Sequence, residues 1–243
     1  MIQQPFGKIA PFITVLLIFQ LFLAILVAVY GYQGSFLLLN GLHLDWLDAP
    51  MFLLTHLGDA LILTSVVAMI FIRRNPGLVL LLILVVIITG LAGQLMKNFL
   101  FDSWDRPLQI IGENGEVHTV FGYMLFRNSF PSGHSITVAA AITTIAMIVQ
   151  PKKSLMILLA FSAALISYTR VYVGAHFAGD VLAGTVIGVA ASLFLTVWLY
   201  PGINRWITGL SLAGLRNLRI ILLITAIAGL TGGIWVIGEN LVR

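Results

Sequence analysis

Long apolar runs separated by short polar stretches dominate the pattern of this 243-residue chain. A membrane-spanning helix needs about 20 consecutive and mostly apolar residues. On this criterion there are seven candidate spans, at about residues 10–31, 57–72, 76–98, 134–150, 154–171, 177–199 and 219–238. The pattern therefore predicts an all-α fold, a polytopic transmembrane helix bundle with a six-span core and a seventh, C-terminal span.

The segment between the first two spans is too interrupted to cross a membrane. Residues 34–39 and 42–47 contain leucines broken by Gly, Ser, His and Asp, with Trp46 among them. Trp is enriched at the membrane–water interface, where amphipathic helices lie flat. We therefore predict a short interfacial helix here.

The longest polar insert covers residues 108–130. Residues 114–115 are Asn-Gly, flanked on both sides by β-prone residues, which is a hairpin signal. The pattern predicts a short hairpin or, as the alternative, a surface loop. Solvent exposure is expected for the charged and polar side chains of the insert, Glu113, Glu116 and His118.

Composition supports the membrane interpretation. Hydrophobic residues make up 60% of the chain and charged residues 9%, which is typical of a polytopic membrane protein and leaves residues 1–243 as one domain. There is no cysteine, which excludes disulfides and a thiolate nucleophile. The net charge of +4 comes from basic residues between apolar runs, so it indicates membrane topology rather than a nucleic-acid partner.

The distribution of basic residues predicts an orientation. With a cytoplasmic N-terminus, eight of the thirteen Lys and Arg residues fall on the cytoplasmic side, in agreement with the positive-inside rule. All nine acidic residues and all five histidines then fall on the outer side. Because the hydrophilic loops are short, we expect a multi-pass protein of a bacterial inner membrane, with its polar clusters facing the exterior.

The sharpest of these clusters contains Arg170, His176 and Asp180. Residues four apart share one face of a helix, so His176 and Asp180 are expected to lie within reach of each other. A carboxylate on one imidazole nitrogen fixes the tautomer and leaves the other nitrogen to attack phosphorus. The alternative is a polar pair that joins two helices.

A second cluster, residues 129–135, precedes the fourth span. Ser132 and Gly133 would lie at a helix N-terminus, where free N–H groups and the helix dipole favour a phosphate. The alternative is a simple Ser N-cap after a proline turn, and the two interpretations are compatible. A cap does not need His134, so that residue is harder to explain by structure alone.

A third cluster brings two cations to the end of the third span. The structural alternatives are that Lys97 reaches the headgroups by snorkelling and that Arg106 is an ordinary loop residue. A phosphate site would use both, because Arg grips two oxygens at once while Lys acts as a point charge.

These clusters together resemble the type 2 phosphatidic acid phosphatase family, also called lipid phosphate phosphatases. The family pattern is a Lys, then Arg-Pro, then Pro-Ser-Gly-His, and then Ser-Arg, five residues, His, three residues and Asp. Residues 131–134 match the Pro-Ser-Gly-His element in full, and Arg170, His176 and Asp180 keep the spacing of the last element. The motifs cover residues 97–180, about a third of the chain.

Two positions depart from the family pattern. Thr169 stands where serine is usual, which keeps the hydroxyl. Eight residues separate Lys97 from Arg106, where the basic pattern has six. The second departure concerns Lys97 more than Arg106.

The resemblance implies a role for each matching residue. His176 would be the nucleophile, Asp180 its partner, and His134 the acid that protonates the leaving oxygen. The phosphate oxygens would be held by the remaining matched residues, Lys97, Arg106, Ser132, Gly133 and Arg170. No metal or other cofactor is implied, since cationic side chains supply the positive charge.

The leading hypothesis is a membrane lipid phosphatase that removes a terminal phosphate from a lipid phosphate or lipid pyrophosphate at the outer face. Phosphatidylglycerol phosphate, phosphatidic acid and undecaprenyl pyrophosphate are the favoured substrates. A lipid A phosphatase or phosphotransferase is the runner-up. A transporter or channel is an alternative of another class, but it would spread its charges through mid-span rather than at one face.

Two small-xxx-small pairs and one acid complete the expectations. Gly184 and Gly188, and likewise Gly229 and Gly233, predict close helix packing. Asp59 is expected to be an interfacial or packing group rather than part of the site.

Overall fold

The computed structural model describes residues 5–112 and 117–242, and over these ranges the chain is helical with no strand. In chain order the elements are α1 (Pro5–Lys8), α2 (Ala10–Asn40), α3 (Asp45–His56), α4 (Ala60–Phe71), α5 (Pro76–Leu95), a π-helical turn (Met96–Leu100), α6 (Pro107–Ile111), α7 (Gly133–Val149), α8 (Lys153–Tyr172), α9 (Ala178–Thr208) and α10 (Leu212–Val242). The predicted all-α bundle is confirmed.

Five of these helices are long and apolar enough to cross a membrane: α2, α5 with its π turn, α8, α9 and α10. Helices α3 and α4 form a pair bent by 73° that counts as a sixth span if taken together. With 17 residues, α7 is shorter, but residues 135–147 are all buried inside the bundle. The chain is therefore a multi-pass membrane protein, and the C-terminal helix is among its candidate spans.

The predicted boundary of the first span was too early. Helix α2 continues beyond a break at Gly31, which has a positive φ of 71°, and residues 34–39 are helical. The interfacial helix was expected within this region, and the short helix that the structure contains is α3, the next element along the chain. Trp46, in its first turn, is 72% exposed.

The hairpin prediction for residues 108–130 is wrong, because the described part of this segment contains no strand. Helix α6 ends at Ile111, and residues 117–130 follow as turns and bends, in agreement with the loop alternative. Residues 113–116, which include the Asn-Gly pair, Glu113 and Glu116, lie outside the described residues. The expected solvation of His118 is wrong too, because its Nε2 lies 3.0 Å from Asp48 Oδ1 and its ring stacks on His43.

Helix α7 forms the centre of the bundle and packs most extensively against α9. The contact is close because a Cβ at Gly184 would lie 2.7 Å from Ser132 O, and one at Gly188 would lie 2.5 Å from Ile136 O. On the periphery, α10 packs against α4 in the same way through Gly229 and Gly233. Both predictions of close packing at small-xxx-small pairs are confirmed.

Candidate active site

His176 and Asp180 meet at the N-terminus of α9. His176 Nδ1 lies 3.3 Å from Asp180 Oδ2, and both side chains are buried. The sequence-based reason was different, since His176 precedes the helix and shares no helical face with Asp180. Instead, Phe177 is the N-cap residue and its N–H donates to Asp180 Oδ2 at 2.9 Å, which brings the carboxylate back toward His176.

Two hydroxyl groups complete the shell of the Asp180 carboxylate. Tyr32 donates to Oδ1, and Ser129 donates to Oδ2 while lying 3.5 Å from His176 Nδ1. Tyr32 follows the break at Gly31 in α2. A Cβ at Gly179 would overlap the Tyr32 ring, so that glycine provides the space the ring occupies. A buried carboxylate with these donors is held in one orientation.

Arg106 and Lys97 converge on the same loop. Arg106 Nη1 lies 3.4 Å from His176 Nε2 and donates to Ala175 O at 3.0 Å. Lys97 Nζ donates to Asn128 O at 3.1 Å, and Arg106 Nη2 approaches the same oxygen at 3.4 Å. The eight-residue spacing therefore still brings the two cations together.

Lys97 lies in the π-helical turn that ends α5, a geometry often found at functional sites. Its side chain is 8% exposed, which disfavours the alternative that it snorkels toward the headgroups. The ammonium group points into the protein instead. A buried ammonium with a carbonyl partner but no carboxylate bonded to it favours an anion nearby.

Arg170 is 1% exposed and is held on two sides. Its Nη1 donates to Thr55 Oγ1 at 2.6 Å and its Nη2 to Tyr123 OH at 3.2 Å. Its Nε is buried and has no hydrogen-bond partner among the described residues. Its carbonyl oxygen accepts from the backbone N–H groups of Ala175 and His176, so Arg170 also fixes the backbone of the nucleophile candidate.

The Pro-Ser-Gly-His segment begins α7. Ser132 is the N-cap residue, and its side chain accepts from the N–H of Ser135 at 3.4 Å, so the capping interpretation holds. Ser132 N donates to Asp180 O at 3.1 Å, which ties the start of α7 to the start of α9. A Cβ at Gly133 would meet nothing within 4 Å, which leaves the first turn open.

His134 lines a cavity of about 220 Å³ beside this helix start. Lys97 and Gly133 line it too, with residues from α4 and α5. Asp59, which was expected to be an interfacial or packing group, contributes to the wall, and its carboxylate caps α4 by accepting from Leu61 N at 2.8 Å. Two residues predicted to bind phosphate, Lys97 and Gly133, thus face one space with His134.

The cations set the electrostatics of the site. Burial, followed by the charges of Arg106, Lys97 and Arg170, holds the pKa of His176 well below its usual range. Its imidazole is therefore neutral at neutral pH, the form in which a ring nitrogen carries a free lone pair. Burial and the neighbouring Arg170 charge lower the pKa of Arg106 to about 10, so that guanidinium remains charged.

Sequence reasoning missed three residues of this site, Tyr32, Thr55 and Tyr123, and gave Ser129 no role. Ser129 lies within the predicted cluster of residues 129–135, two residues before the Pro-Ser-Gly-His motif. The other three carry no local signal, as they come from α2, α3 and the insert. Over the described part of the chain, no group of three or more His, Asp or Glu residues has the arrangement of a metal site.

The chain is similar to several known membrane phosphatases. An undecaprenyl-diphosphatase of Sulfolobus acidocaldarius is 28% identical over 195 residues, which is 75% of this chain and 88% of that protein. A lipid A 4'-phosphatase of Porphyromonas gingivalis is 26% identical over 186 residues, or 72% of this chain and 75% of that protein. The crystal structure of Aquifex aeolicus LpxE superposes with a TM-score of 0.57 at 29% identity, covering 68% of this chain and 94% of that one.

The model of one protein family matches the region that contains the site. It is that of the PAP2 superfamily, and it matches residues 78–204, just over half of the chain. That range contains the Lys97 and Arg106 pair, the start of α7 and the His176–Asp180 pair. This chain belongs to the PAP2 superfamily of lipid phosphatases.

Proposed function

We propose that this protein removes the terminal phosphate of a lipid phosphate or lipid pyrophosphate through a phosphohistidine intermediate on His176. One observation carries the proposal. His176 has one ring nitrogen held 3.3 Å from Asp180 and the other 3.4 Å from Arg106, so its free nitrogen faces a cation suited to bind the phosphate under attack. The proposed nucleophile thus has an orienting carboxylate beside one ring nitrogen and an oxyanion-binding group beside the other.

In the first step, His176 Nε2 attacks phosphorus and the bond to the lipid oxygen breaks. Asp180 stabilises the cationic ring that forms, while Arg106, Arg170 and Lys97 balance the charge on the phosphoryl oxygens. His134 donates a proton to the leaving lipid oxygen. Water then attacks the phosphorus, His134 takes up the proton that the water loses, and the phosphorus–nitrogen bond breaks, so that phosphate leaves and both histidines are restored.

The three cationic side chains support activity without a metal ion. Two of them have donors that suit an added anion: the Nε of Arg170, which has no partner within the described ranges, and the Lys97 ammonium, which reaches one carbonyl. Phosphoryl transfer needs positive charge around the equatorial oxygens, which such donors supply.

The substrate is proposed by class. Two relatives, one described as acting on undecaprenyl diphosphate and the other on lipid A, both take phosphate from a membrane lipid. We favour phosphatidylglycerol phosphate, phosphatidic acid or undecaprenyl pyrophosphate at the outer face of a bacterial inner membrane. Lipid A remains the second candidate, and transfer of the phosphoryl group to a lipid hydroxyl would use the same intermediate.

Phosphate release by the detergent-solubilised protein tests the proposal. Each of the four lipids is supplied with and without excess chelator, and turnover of at least one lipid should survive the chelator. Loss of all activity on chelation, with recovery on adding magnesium, would contradict the metal-free mechanism. Absence of turnover on every lipid would contradict the phosphatase itself.

A separate experiment tests the proposed orientation in the membrane. Single introduced cysteines can report it, because the chain has no cysteine of its own. Cysteine is introduced at Met124, which is 55% exposed in the insert, or at Arg74, which is exposed between α4 and α5. In intact spheroplasts an impermeant thiol reagent should label the first variant and spare the second. The reverse result would place the site in the cytoplasm.

A further inference from the structure

A second cavity lies in the membrane part of the bundle, between α4, α5 and α10. Its volume is about 550 Å³, in the range of small-molecule sites, and its walls are almost entirely apolar. Along α4 it extends from Ala60 to Ala68, which is roughly 12 Å at 1.5 Å per residue. We call this cavity the α4–α5–α10 groove.

The groove adjoins the cavity beside His134. Ala60 and Gly90 line both spaces. Gly90 also lacks a side chain where one could project, since a Cβ there would meet nothing within 4 Å. The two spaces therefore meet at Ala60 and Gly90, with Lys97 and His134 on one side of this junction and the apolar groove on the other.

Helix α10 supplies one whole wall of the groove. Leu222, Thr225, Ala226 and Gly229 line it, and Gly229 lets the helix approach Ser65 of α4 closely. This helix lies beyond residues 78–204, the range that matches the family model. The wall is therefore a feature of this chain and not of the matched family region.

Resting on the proposed function, we propose that the groove binds the first part of the hydrocarbon chain of the lipid phosphate whose headgroup occupies the cavity beside His134. The occupant follows from the chemistry of the two adjoining spaces. A lipid phosphate has a polar, anionic end joined to a long apolar chain, and the two cavities have that order and chemistry. Leu61 and Leu91, both more than 40% exposed at the groove, leave it open to the bilayer for the rest of the chain.

Helix α10 is then a specificity element. Burial of each methylene between α4, α5 and α10 favours binding, so long-chain substrates gain over short-chain ones. A bulky side chain at Gly90 would fill the junction between the headgroup cavity and the groove. It would weaken binding of a long-chain substrate more than binding of a substrate whose chain is too short to pass the junction.

The first test compares Gly90→Leu with Gly202→Leu, a matched control in α9 at which a Cβ also meets nothing within 4 Å. Activity is measured on dioleoyl and dihexanoyl phosphatidic acid. In Gly90→Leu the ratio of kcat/KM for the long chain to that for the short chain should fall at least about tenfold, the loss expected when two methylenes are no longer buried. In Gly202→Leu the ratio should not change. An unchanged ratio in Gly90→Leu would overturn the proposal.

The second test does not depend on turnover. In a His176→Ala background, a cysteine is placed at Thr225, which faces the groove, or at Ile224, which is 62% exposed and does not line it. Labelling by an apolar maleimide is then followed. At about four times its Kd, dioleoyl phosphatidic acid should slow labelling at 225 about fivefold, by the factor 1 + [L]/Kd, and leave 224 unaffected.

Two further ligands separate the outcomes. Inorganic phosphate should not protect position 225, because it has no chain. Dioleoylglycerol should protect position 225 much less than dioleoyl phosphatidic acid does, because it lacks the phosphate headgroup that anchors the lipid. Equal protection by both lipids would mean that the groove takes any bilayer hydrocarbon, and this would overturn the proposal. If the wild-type protein hydrolyses no lipid but dioleoyl phosphatidic acid still protects position 225, the proposed function fails and the groove assignment stands.

Discussion

The α7–α9 contact and the α4–α10 contact use the same sequence device for different purposes. Each has two glycines four residues apart: Gly184 and Gly188 in α9, and Gly229 and Gly233 in α10. At the first contact a Cβ would press on backbone oxygens of α7. At the second it would press on the side chains of Ser65 and Ile62 in α4.

The difference shows what each contact positions. The α7–α9 contact is buried and carries a backbone hydrogen bond between Ser132 and Asp180, so it joins the helix start at His134 to the His176–Asp180 pair. Helix α10 lies at the periphery, and Ile224 and Trp235 on it are exposed. At the α7–α9 contact the pair of glycines therefore brings together the residues of the candidate site. At the α4–α10 contact it forms a wall of the α4–α5–α10 groove.

The strongest test of the α7–α9 region is His176→Ala. Turnover should fall by at least about a thousandfold, because loss of a nucleophile usually costs that much or more. His43→Ala is the matched control, since His43 lies outside the site and stacks on His118. Kinetics of both purified variants, with melting temperatures to check folding, decide the matter. A His176→Ala variant with a tenth of the wild-type activity would rule out the phosphohistidine.

A sharper test concerns His134 and depends on the leaving group. As a general acid it should contribute about 10²–10⁴-fold where the leaving group is a lipid alkoxide. It should matter much less for nitrophenyl phosphate or undecaprenyl pyrophosphate, whose leaving groups are weaker bases. The ratios of kcat/KM across these substrates are compared for His134→Ala and wild type. Equal losses on all of them would reassign His134 to binding or folding.

The comparison between the two glycine pairs is tested by Gly188→Ala and Gly229→Ala. The first places a Cβ 2.5 Å from Ile136 O, and the backbone must shift, at a cost of about 1–3 kcal/mol of stability. The second places it 2.6 Å from Ser65 Oγ, which can rotate away. The melting temperature in detergent and the turnover of nitrophenyl phosphate should both fall clearly for Gly188→Ala, and neither should fall clearly for Gly229→Ala. Similar losses in the two variants would show that the contacts are equivalent.

Tyr32→Phe should have a moderate effect. It removes one hydrogen bond to the Asp180 carboxylate, and a bond to a charged group is worth about 1.5–3 kcal/mol. We expect kcat to fall by about tenfold with KM little changed, because Tyr32 orients Asp180 rather than touching the phosphate. Tyr30→Phe, in the same helix and 55% exposed, serves as the control. A loss confined to KM would indicate a role in binding.

The smallest expected effect is a shift of the pH profile. Burial and nearby cations hold the pKa of His176 below its usual range, so the neutral ring persists as pH falls below 6.5 and activity is lost only at lower pH. Lys97→Gln removes one of those cations and should raise the pKa of His176. The acid limb of kcat/KM for the free enzyme should therefore move to higher pH. A limb that stays in place would show that another group controls it.

The sequence alone was enough to predict the class of fold and most of the residues that the structure brings together at the candidate site. Apolar runs of span length must be helical in a bilayer, because every backbone polar group has to be satisfied within the segment. The ordered motifs between residues 97 and 180 pointed to the residues that the structure brings together. The hairpin prediction failed because β-propensity at residues 109–111 was overridden by a helix that begins at Pro107.

The geometry of the site was decided by tertiary structure. His176 reaches Asp180 through the cap of α9, although their spacing indicated a shared helical face. Tyr32, Thr55 and Tyr123 enter from α2, α3 and the insert, and no local pattern connects them with His176. Local sequence determines which segments are helical and which residues are reactive. Long-range packing determines which of them meet, because those contacts depend on glycine gaps and helix breaks such as Gly179 and Gly31, whose partners lie far away in the chain.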